Sequence, residues 1–119
     1  MNKTTRPADI YLRFLHLAEA IRRLPSLPPL DPLEERILSL IARARKSQER
    51  LSVRDMMAKQ EFGAPATVHA RLKSMREKGW IVLNDTEDAR RKQVDLSGAA
   101  LQHFDRLSGC LVQAAQGAD

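Results

Sequence analysis

The sequence is poor in the residues that build disulfide frameworks, metal centres and aromatic cores. It contains one cysteine, three histidines and only 4% aromatic residues. A single cysteine, Cys110, cannot form an intramolecular disulfide, which excludes a secreted, disulfide-framed domain. The scattered histidines and lone cysteine argue against a structural zinc site, so we expect no metal and no cofactor. With so few aromatics, the core must be built from Leu, Ile, Val, Met and Ala, which favours helices.

Long apolar runs and catalytic motifs are missing as well. No apolar segment approaches the ~18 residues of a membrane span, and no signal peptide opens the sequence. We find no Gly-rich phosphate loop, no metal-ligand spacing, and no Ser/His/Asp or Cys/His arrangement within a recognisable motif. The length of 119 residues sets the expectation at one domain. We therefore predict a small, helix-rich, cytoplasmic protein that is not an enzyme and does not bind membranes.

Positive charge is concentrated in the middle of the chain. The net charge is +5, from 20 basic and 15 acidic residues. Between Arg43 and Lys92 there are 13 basic and 7 acidic residues, whereas the remainder holds 7 basic and 8 acidic. A focused basic region is typical of proteins that neutralise the phosphates of a polyanion. Charge alone leaves open a second interpretation, an ordinary solvated surface on a mildly basic protein.

The helical spacing of apolar residues and the positions of the prolines divide the chain into segments. Apolar residues recur at a 4-3-4-3 spacing near both ends, which predicts two terminal helices of coiled-coil character. Prolines between the first of these helices and the middle of the chain stop the helix and form a stiff connector. The predicted segments are tails at 1–8 and 116–119, terminal helices at 9–24 and 98–115, the connector at 25–30, and a central domain at 31–97.

Capping signals in the central segment predict three helices. Asp31-Pro32-Leu33-Glu34 and Ser52-Val53-Arg54-Asp55 each have the pattern of a capping box, and the second helix should reach about Gln60. After a tight turn at 61–64, Pro65 starts an amphipathic, basic helix that ends before Gly79. Two short helices joined by a Gly-containing turn have the outline of a helix-turn-helix.

The apolar pattern changes to period two after Gly79. This change predicts strands at 80–83 and 93–96, joined by the polar loop 85–92. Ser97 is then the expected cap of the last helix. A helix-turn-helix followed by a hairpin is the winged-helix plan. The predicted fold class is mainly α with a small β-hairpin wing, a winged helix-turn-helix flanked by N- and C-terminal dimerisation helices.

The segment around the predicted hairpin resembles a known family. Lys78-Gly79-Trp80-Ile81, followed by Asp88-Ala89-Arg90, Val94, Leu96 and Ser97, resembles the MarR family of bacterial winged-helix regulators, in which K-G-[W/L]-[I/V] leads to D-x-R-x-x-x-V-x-L-[S/T]. The resemblance covers roughly residues 31–115. It implies a homodimer that binds pseudo-palindromic operator DNA. It also implies that helix 65–78 lies in the major groove and that Arg90 of the wing enters the flanking minor groove.

Candidate DNA contacts lie on the outward face of the helix 65–78 and at the wing. If Val68 points inward, a turn of about 100° per residue directs Ala66, Ala70 and Lys73 outward. Small side chains allow close approach to bases, polar ones near the helix start could reach base edges, and arginine suits narrow minor grooves. The full predicted set is Arg54, Ala66, Thr67, His69, Ala70, Lys73, Arg76, Arg90, Arg91 and Lys92. The alternative for these residues is a solvated helix face and a solvated hairpin tip.

Two further side chains in this region have expected structural roles. We expect Asp88 to pair with Arg90 and to set the shape of the wing. Arg71 lies near the edge of the predicted core, where it could pack its aliphatic stem or contact a phosphate.

The two terminal helices need more burial than a central domain of about 65 residues can give both of them. We therefore predict that they build an isologous dimer interface, which would place two recognition helices one DNA turn apart. The predicted interface residues are Ile10, Phe14, Leu17, Ile21, Phe104, Leu107 and Leu111. Packing of these helices onto the middle of the same chain is the alternative. Cys110 is expected to be a small buried hydrophobic residue.

The sequence thus predicts a cytoplasmic, nucleoid-associated homodimer that binds double-stranded DNA sequence-specifically and regulates transcription, as a repressor. The alternative is a winged-helix module for protein–protein assembly whose basic face binds an acidic partner. RNA binding ranks third, because the predicted strands offer no row of exposed aromatics for base stacking. The sequence identifies no small-molecule effector.

Overall fold

The structure, a computed structural model, describes residues 7–22, 27–87 and 91–117. In these residues the helices are α1 (Pro7–Arg22), α2 (Pro32–Lys46), α3 (Val53–Met57), α4 (Pro65–Glu77) and α5 (Gly98–Gln116), with a 3-10 turn at Gln60–Phe62. The strands are β1 (Leu51–Ser52), β2 (Ile81–Asp85) and β3 (Lys92–Leu96). The chain forms two compact units: a central unit of residues 27–100, and a terminal unit made from residues 1–26 and 101–119.

Capping boxes start α2 and α3 as predicted. The Glu34 amide donates to Asp31 Oδ1 at 2.8 Å, and the Asp31 amide donates to Glu34 Oε1 at 3.0 Å. At α3 the Asp55 amide donates to Ser52 Oγ at 3.0 Å, and the Ser52 amide donates to Asp55 Oδ2 at 2.9 Å. Each box satisfies two amides that have no partner inside the helix, which fixes where the helix begins.

The sheet of the central unit is larger than a hairpin. It has the strand order β1-β3-β2, with both pairs antiparallel and with Leu51 opposite Val94 in the β1–β3 pair. Compared with the predicted strands 80–83 and 93–96, β2 begins one residue later and ends two residues later, whereas β3 begins one residue earlier and ends as predicted. The ladder of β2 and β3 continues as far as Asp85 opposite Lys92. Those two side chains also form an ion pair, which extends the paired region beyond the apolar residues.

The second predicted helix is shorter than expected. α3 ends at Met57 rather than near Gln60, and the 3-10 turn Gln60–Phe62 follows it. Phe62 is buried in that turn, so burial of an aromatic ring outweighs continuation of the helix. Gly63 then has φ +93° and ψ −154°, a conformation that glycine alone adopts readily, and it redirects the chain into α4.

The core of the central unit is aliphatic, as the composition predicts. Its largest fully buried apolar side chains are Ile37, Ile41, Met56, Val68, Met75 and Ile81. On α4 the buried residues are Val68, Leu72 and Met75, so the predicted inward face of this helix is confirmed. Glu34 of α2 is also buried although it carries a carboxylate, and no local sequence pattern predicted its burial.

The terminal unit pairs α1 with the part of α5 that follows Ala100. Small side chains lie at its centre, where Ala18, Cys110 and Ala114 are buried. Arg13 of α1 donates from Nε and Nη2 to the Ala114 carbonyl at 3.1 and 2.9 Å, close to the end of α5. Cys110 is therefore the small buried residue that we expected. None of the helices in the described parts of the chain has the length and hydropathy needed to cross a membrane.

The ends of the terminal helices differ slightly from the predicted ones. α1 begins at Pro7 rather than at Asp9, because proline suits the first turn of a helix, where its missing N–H has no intrahelical partner. Residues 23–26, which include the predicted end of this helix and the start of the connector, lie outside the described residues. α5 extends to Gln116, one residue past the predicted end, after Ser97 Oγ accepts the Ala100 amide at 3.0 Å.

Candidate nucleic-acid interface

One face of α4 is free of burial along the whole helix. Its exposed side chains include Ala66, Thr67, His69, Ala70, Lys73 and Arg76, which alternate with the buried Val68, Leu72 and Met75, and the acidic Glu77 is exposed at the end of the helix. The six exposed residues from Ala66 to Arg76 are the α4 residues that we predicted as DNA contacts, and all of them have the outward orientation that the helical periodicity predicts. The two alanines form a shallow strip between polar and basic neighbours. The face therefore offers hydrogen-bonding groups and two cations, with small side chains in its first two turns and one carboxylate, Glu77, at its end.

Basic side chains from three elements meet beside this face. Arg54 of α3, His69 of α4, and Arg91 and Lys92 of the hairpin line one cleft of about 260 Å³. Its remaining walls include the apolar side chains of Val53, Leu72 and Leu83. The cleft is the place where positive groups far apart in sequence come together on the central unit.

Comparison with known proteins identifies the architecture. Neither a protein-family model nor a curated protein sequence matches this chain. A solved structure does: the adhesin competence repressor from Streptococcus pyogenes aligns with a TM-score of 0.50 at 21% sequence identity, over 92% of this chain and 74% of that one. The chain has the winged helix-turn-helix fold. The fold that the resemblance to MarR-like regulators implies is thus confirmed.

In this winged helix the wing is the β2–β3 hairpin, and its charges are partly paired. Lys92 forms an ion pair with Asp85 across the hairpin. Thr86 Oγ1 donates to the Arg91 carbonyl at 2.8 Å and ties the two sides of the loop together. The Lys92 charge is therefore partly neutralised by Asp85.

The tip of the wing was predicted to contain an Asp88–Arg90 pair. Residues 88–90 lie outside the described residues, so this pair and the minor-groove contact of Arg90 stay predictions. Arg91 does influence an acid outside the wing, Asp55 in the capping box of α3. The Ser52 amide lowers the pKa of Asp55, burial opposes this, and the charges of Arg91 and Lys59 lower it further.

Arg50 is a basic residue near the wing that the sequence reasoning missed. It lines a second cleft of about 350 Å³ together with Arg91, Asp55 and Glu87. The cleft contains both signs of charge. No local sequence pattern predicted that Arg50 lies beside the wing, because this position follows from the pairing of β1 with β3, more than forty residues away.

Several cations of the basic middle segment do not serve the exposed face. Arg45 pairs with Asp95 at 3.0 Å, Arg71 Nε lies 3.0 Å from Asp31 Oδ2, and Lys78 Nζ lies 2.8 Å from Glu34 Oε1. Arg71 thus lies beside Asp31, and the two roles predicted for it, packing of its aliphatic stem and a phosphate contact, stay predictions. Arg54, Lys73 and Arg76 are exposed and contribute positive charge to the surface around α4. Within the described parts of the chain, His, Cys, Asp and Glu form no group that could hold a metal ion.

Proposed function

We propose that this protein is a transcriptional regulator that binds double-stranded DNA sequence-specifically, with α4 in the major groove and the wing at the adjacent minor groove. The observation that carries the proposal is the cleft at which Arg54, His69, Arg91 and Lys92 come together beside the exposed face of α4. The adhesin competence repressor, whose solved structure has the same fold, is named as a repressor, which supports repression as the mode of action.

The dimensions and chemistry of α4 suit the major groove. A helix of 13 residues is roughly 20 Å long, and the major groove is wide enough to admit one α-helix. Ala66 and Ala70 let the backbone approach the bases, where a methyl group can contact thymine. Thr67 and His69 lie in the first turns and present polar groups to base edges. Lys73 and Arg76 follow one and two turns later, where they would contact phosphates or bases.

The wing supplies the second set of contacts. Arg90, Arg91 and Lys92 stand in a row in the sequence, and arginine is favoured where a narrow minor groove concentrates negative potential. The ion pair of Lys92 with Asp85 holds that cation at the edge of the hairpin. Specificity would then come from Thr67 and His69 on α4 and from the shape of the operator at the wings.

Homodimerisation through the terminal unit belongs to the same proposal. Tyr11, Leu12, Leu111 and Val112 are more than half exposed, and Leu15 is 38% exposed. Six of the predicted interface residues are half-buried and Leu111 is exposed, so an apolar surface remains open on this unit. Exposed apolar patches of this kind mark association surfaces, and an isologous dimer would present two copies of α4 to a two-fold symmetric operator.

A salt series of DNA binding tests the proposal. We would measure fluorescence anisotropy of the protein with a mixed-sequence duplex and expect a log–log slope of about −4 to −8, because several phosphates are neutralised. The Lys73→Gln variant should reduce the magnitude of that slope by about one. Lys46→Gln is the matched control, because Lys46 is exposed at the end of α2 and lines neither cleft beside the wing.

Absent or nearly salt-independent binding would contradict the proposal. The basic face would then serve protein–protein assembly with an acidic partner, which is the second candidate. An unchanged slope in Lys73→Gln alone would instead remove Lys73 from the interface and leave DNA binding in place.

A further inference from the structure

The rear of α4 carries two basic residues that the DNA interface does not use. Arg71 lies within α4, and Lys78 is its C-cap residue. The seven residues that separate them correspond to about two helical turns, so both lie on the same side of the helix. Arg71 Nε lies 3.0 Å from Asp31 Oδ2, and Lys78 Nζ lies 2.8 Å from Glu34 Oε1. Asp31 and Glu34 are the two members of the α2 capping box. One motif therefore starts α2 and holds α4 at the same time.

The end of α4 is also tied to the proline connector. Lys78 Nζ donates a second hydrogen bond to the Pro29 carbonyl at 3.0 Å, and the Trp80 indole N–H donates to the Pro28 carbonyl at 2.7 Å. Gly79, with φ +86°, sits so close to the connector that an added Cβ would meet Leu27 Cδ2 at 3.3 Å. Residues 27–29 are thus fastened to the segment that ends the recognition helix.

The burial of Glu34 and its pairing with Lys78 restrict the orientation of α4 against α2. The side chain of Glu34 is 2% exposed and that of Lys78 is 28% exposed. A buried carboxylate is costly without a cationic partner and further donors, and here the Asp31 amide and Lys78 both donate to Oε1, while Oε2 is buried without a hydrogen-bond partner among the described residues. Charge-assisted hydrogen bonds of this kind are short and directional. A different orientation of α4 against α2 would break the hydrogen bond from Lys78 to Glu34 Oε1 and leave the buried carboxylate without its cation.

We propose that Arg71 and Lys78 are positioning residues for DNA binding: they do not touch DNA, but they lock the rear of α4 to the α2 capping box and the connector, and so set the angle and depth of its exposed face in the major groove. This inference rests on the proposed function. Base contacts tolerate little misplacement, whereas the phosphate attraction tolerates much more. Loosening the attachment should therefore reduce sequence discrimination before it reduces binding as such.

The test compares two DNA probes across a salt series. One is a duplex selected by the wild-type protein from a random-sequence pool, and the other is the random pool itself. In Lys78→Gln and in Arg71→Gln, the ratio of the two affinities should fall at least about fivefold, the discrimination carried by one good base contact. The salt slope on either probe should stay unchanged. Lys78→Arg, which keeps the charge and the donors, should restore most of the ratio.

Two comparison variants separate positioning from other effects. Lys73→Gln, on the exposed face, should weaken both probes and lower the magnitude of the slope by about one. Arg45→Gln also removes one cation and one ion pair from the central unit, the 3.0 Å pair with Asp95, but not one made by α4. It should leave the ratio as in the wild type.

Three results would overturn the inference. If Lys78→Gln weakens both probes equally and lowers the slope, Lys78 is a phosphate contact. If folded Lys78→Gln and Arg71→Gln keep the wild-type ratio, the attachment does not control recognition. If the wild-type protein binds neither probe, the proposed function fails and this inference fails with it. Circular dichroism at the assay temperature establishes folding; should Lys78→Gln be unfolded, Arg71→Gln decides, because its pair with Asp31 is more exposed.

Discussion

Glu34 is the residue at which burial and charge compete most directly. Its burial raises the pKa, but the Asp31 amide, the Lys78 ammonium and the Ser74 hydroxyl together lower it below the usual value of 4.5. A carboxylate with a lowered pKa in the folded state adds stability at any pH above its pKa in the unfolded chain. That contribution disappears as the pH falls through the lowered value. Neutral pH therefore lies in the range where Glu34 stabilises the fold.

Replacement of Glu34 by glutamine should destabilise the protein at neutral pH. The Gln amide can still cap α2, but it leaves the Lys78 charge without its carboxylate, at a cost of roughly 1–3 kcal/mol. Urea unfolding at pH 7 measures the difference from the wild type. The difference should shrink as the pH is lowered from 4.5 through the folded-state pKa, because the wild-type carboxyl also becomes neutral.

Glu35→Gln provides the control for that experiment. Glu35 is the next residue in the first turn of α2 and is exposed, so its loss should cost no more than about 0.5 kcal/mol. Equal destabilisation by the two variants, or a Glu34→Gln effect that does not change between pH 7 and acid, would refute the role given to Glu34.

Arg90 is the wing residue on which the resemblance to MarR-like regulators places the minor-groove contact. Arg90→Ala should weaken operator binding through loss of the minor-groove contact, and it should leave thermal stability and dimerisation intact, because an ion pair at a hairpin tip contributes little to folding. Anisotropy on a selected operator measures the first, and thermal unfolding with light scattering measures the others. Unchanged affinity in moderate salt would count against the wing assignment.

At the scale of elements, the features visible in the sequence are those whose cause is local. The Asp31–Glu34 and Ser52–Asp55 boxes, Ser97 and the glycine after α4 act within four residues, and the structure places helix boundaries at all of them. β1 was missed because its two residues become a strand only through pairing with β3, in which Leu51 lies opposite Val94 and Ser52 opposite Gln93, more than 40 positions away. The pairing of Lys78 with Glu34 joins residues 44 positions apart, and no local sequence pattern predicts it.

In the candidate site, too, the features with a local cause could be predicted from the sequence, and those that depend on distant residues could not. The outward face of α4 could be predicted from its helical period, since Val68, Leu72 and Met75 fix the inward direction. The meeting of Arg54 with Arg91 and Lys92 could be expected only from the winged-helix plan as a whole. Arg50 could not be found, because its position depends on the register of the sheet.

The turn of the helix-turn-helix should be sensitive to the loss of glycine. Gly63→Ala forces a side chain into φ +93°, and we expect a loss of about 1–3 kcal/mol in the free energy of unfolding. Space is not the reason, because an added Cβ at Gly63 meets nothing within 4 Å. Chemical denaturation of the purified variant measures the effect.

Gly98→Ala is the matched control for the turn. Gly98 is the first residue of α5, has no left-handed φ and has equally open surroundings. The same substitution there should be neutral or add about 0.4–1 kcal/mol. A loss at Gly98 as large as that at Gly63 would show that backbone conformation is not the cause.

At the scale of the whole molecule, apolar exposure and positive charge are divided between the two units. Five of the six large apolar residues reported as exposed in the described parts of the chain belong to the terminal unit, the sixth being Val82. The excess of basic residues lies between positions 43 and 92, inside the central unit. The proposed function gives each unit one task, self-association for the terminal unit and DNA binding for the central one.

Leu111→Asp should disrupt self-association. Leu111 is 52% exposed within the chain, so a charge there costs the single chain little but would be buried in a dimer interface. Light scattering at micromolar concentration should show a dimer for the wild type and a monomer for the variant, with weaker operator binding because two half-sites are no longer engaged together. Gln113→Asp, also exposed on α5, is the charge-matched control and should remain dimeric. A monomeric wild type would contradict the interface.

The hydrogen bond between the Trp80 indole and the Pro28 carbonyl has a practical consequence. Trp80 is the only tryptophan in the chain, and it is 7% exposed at the junction of α4, β2 and the connector. All intrinsic indole emission therefore arises at this one junction. Any event that opens it should shift the emission to longer wavelength, so the unlabelled protein carries its own optical probe, which could be followed in real time as DNA is added.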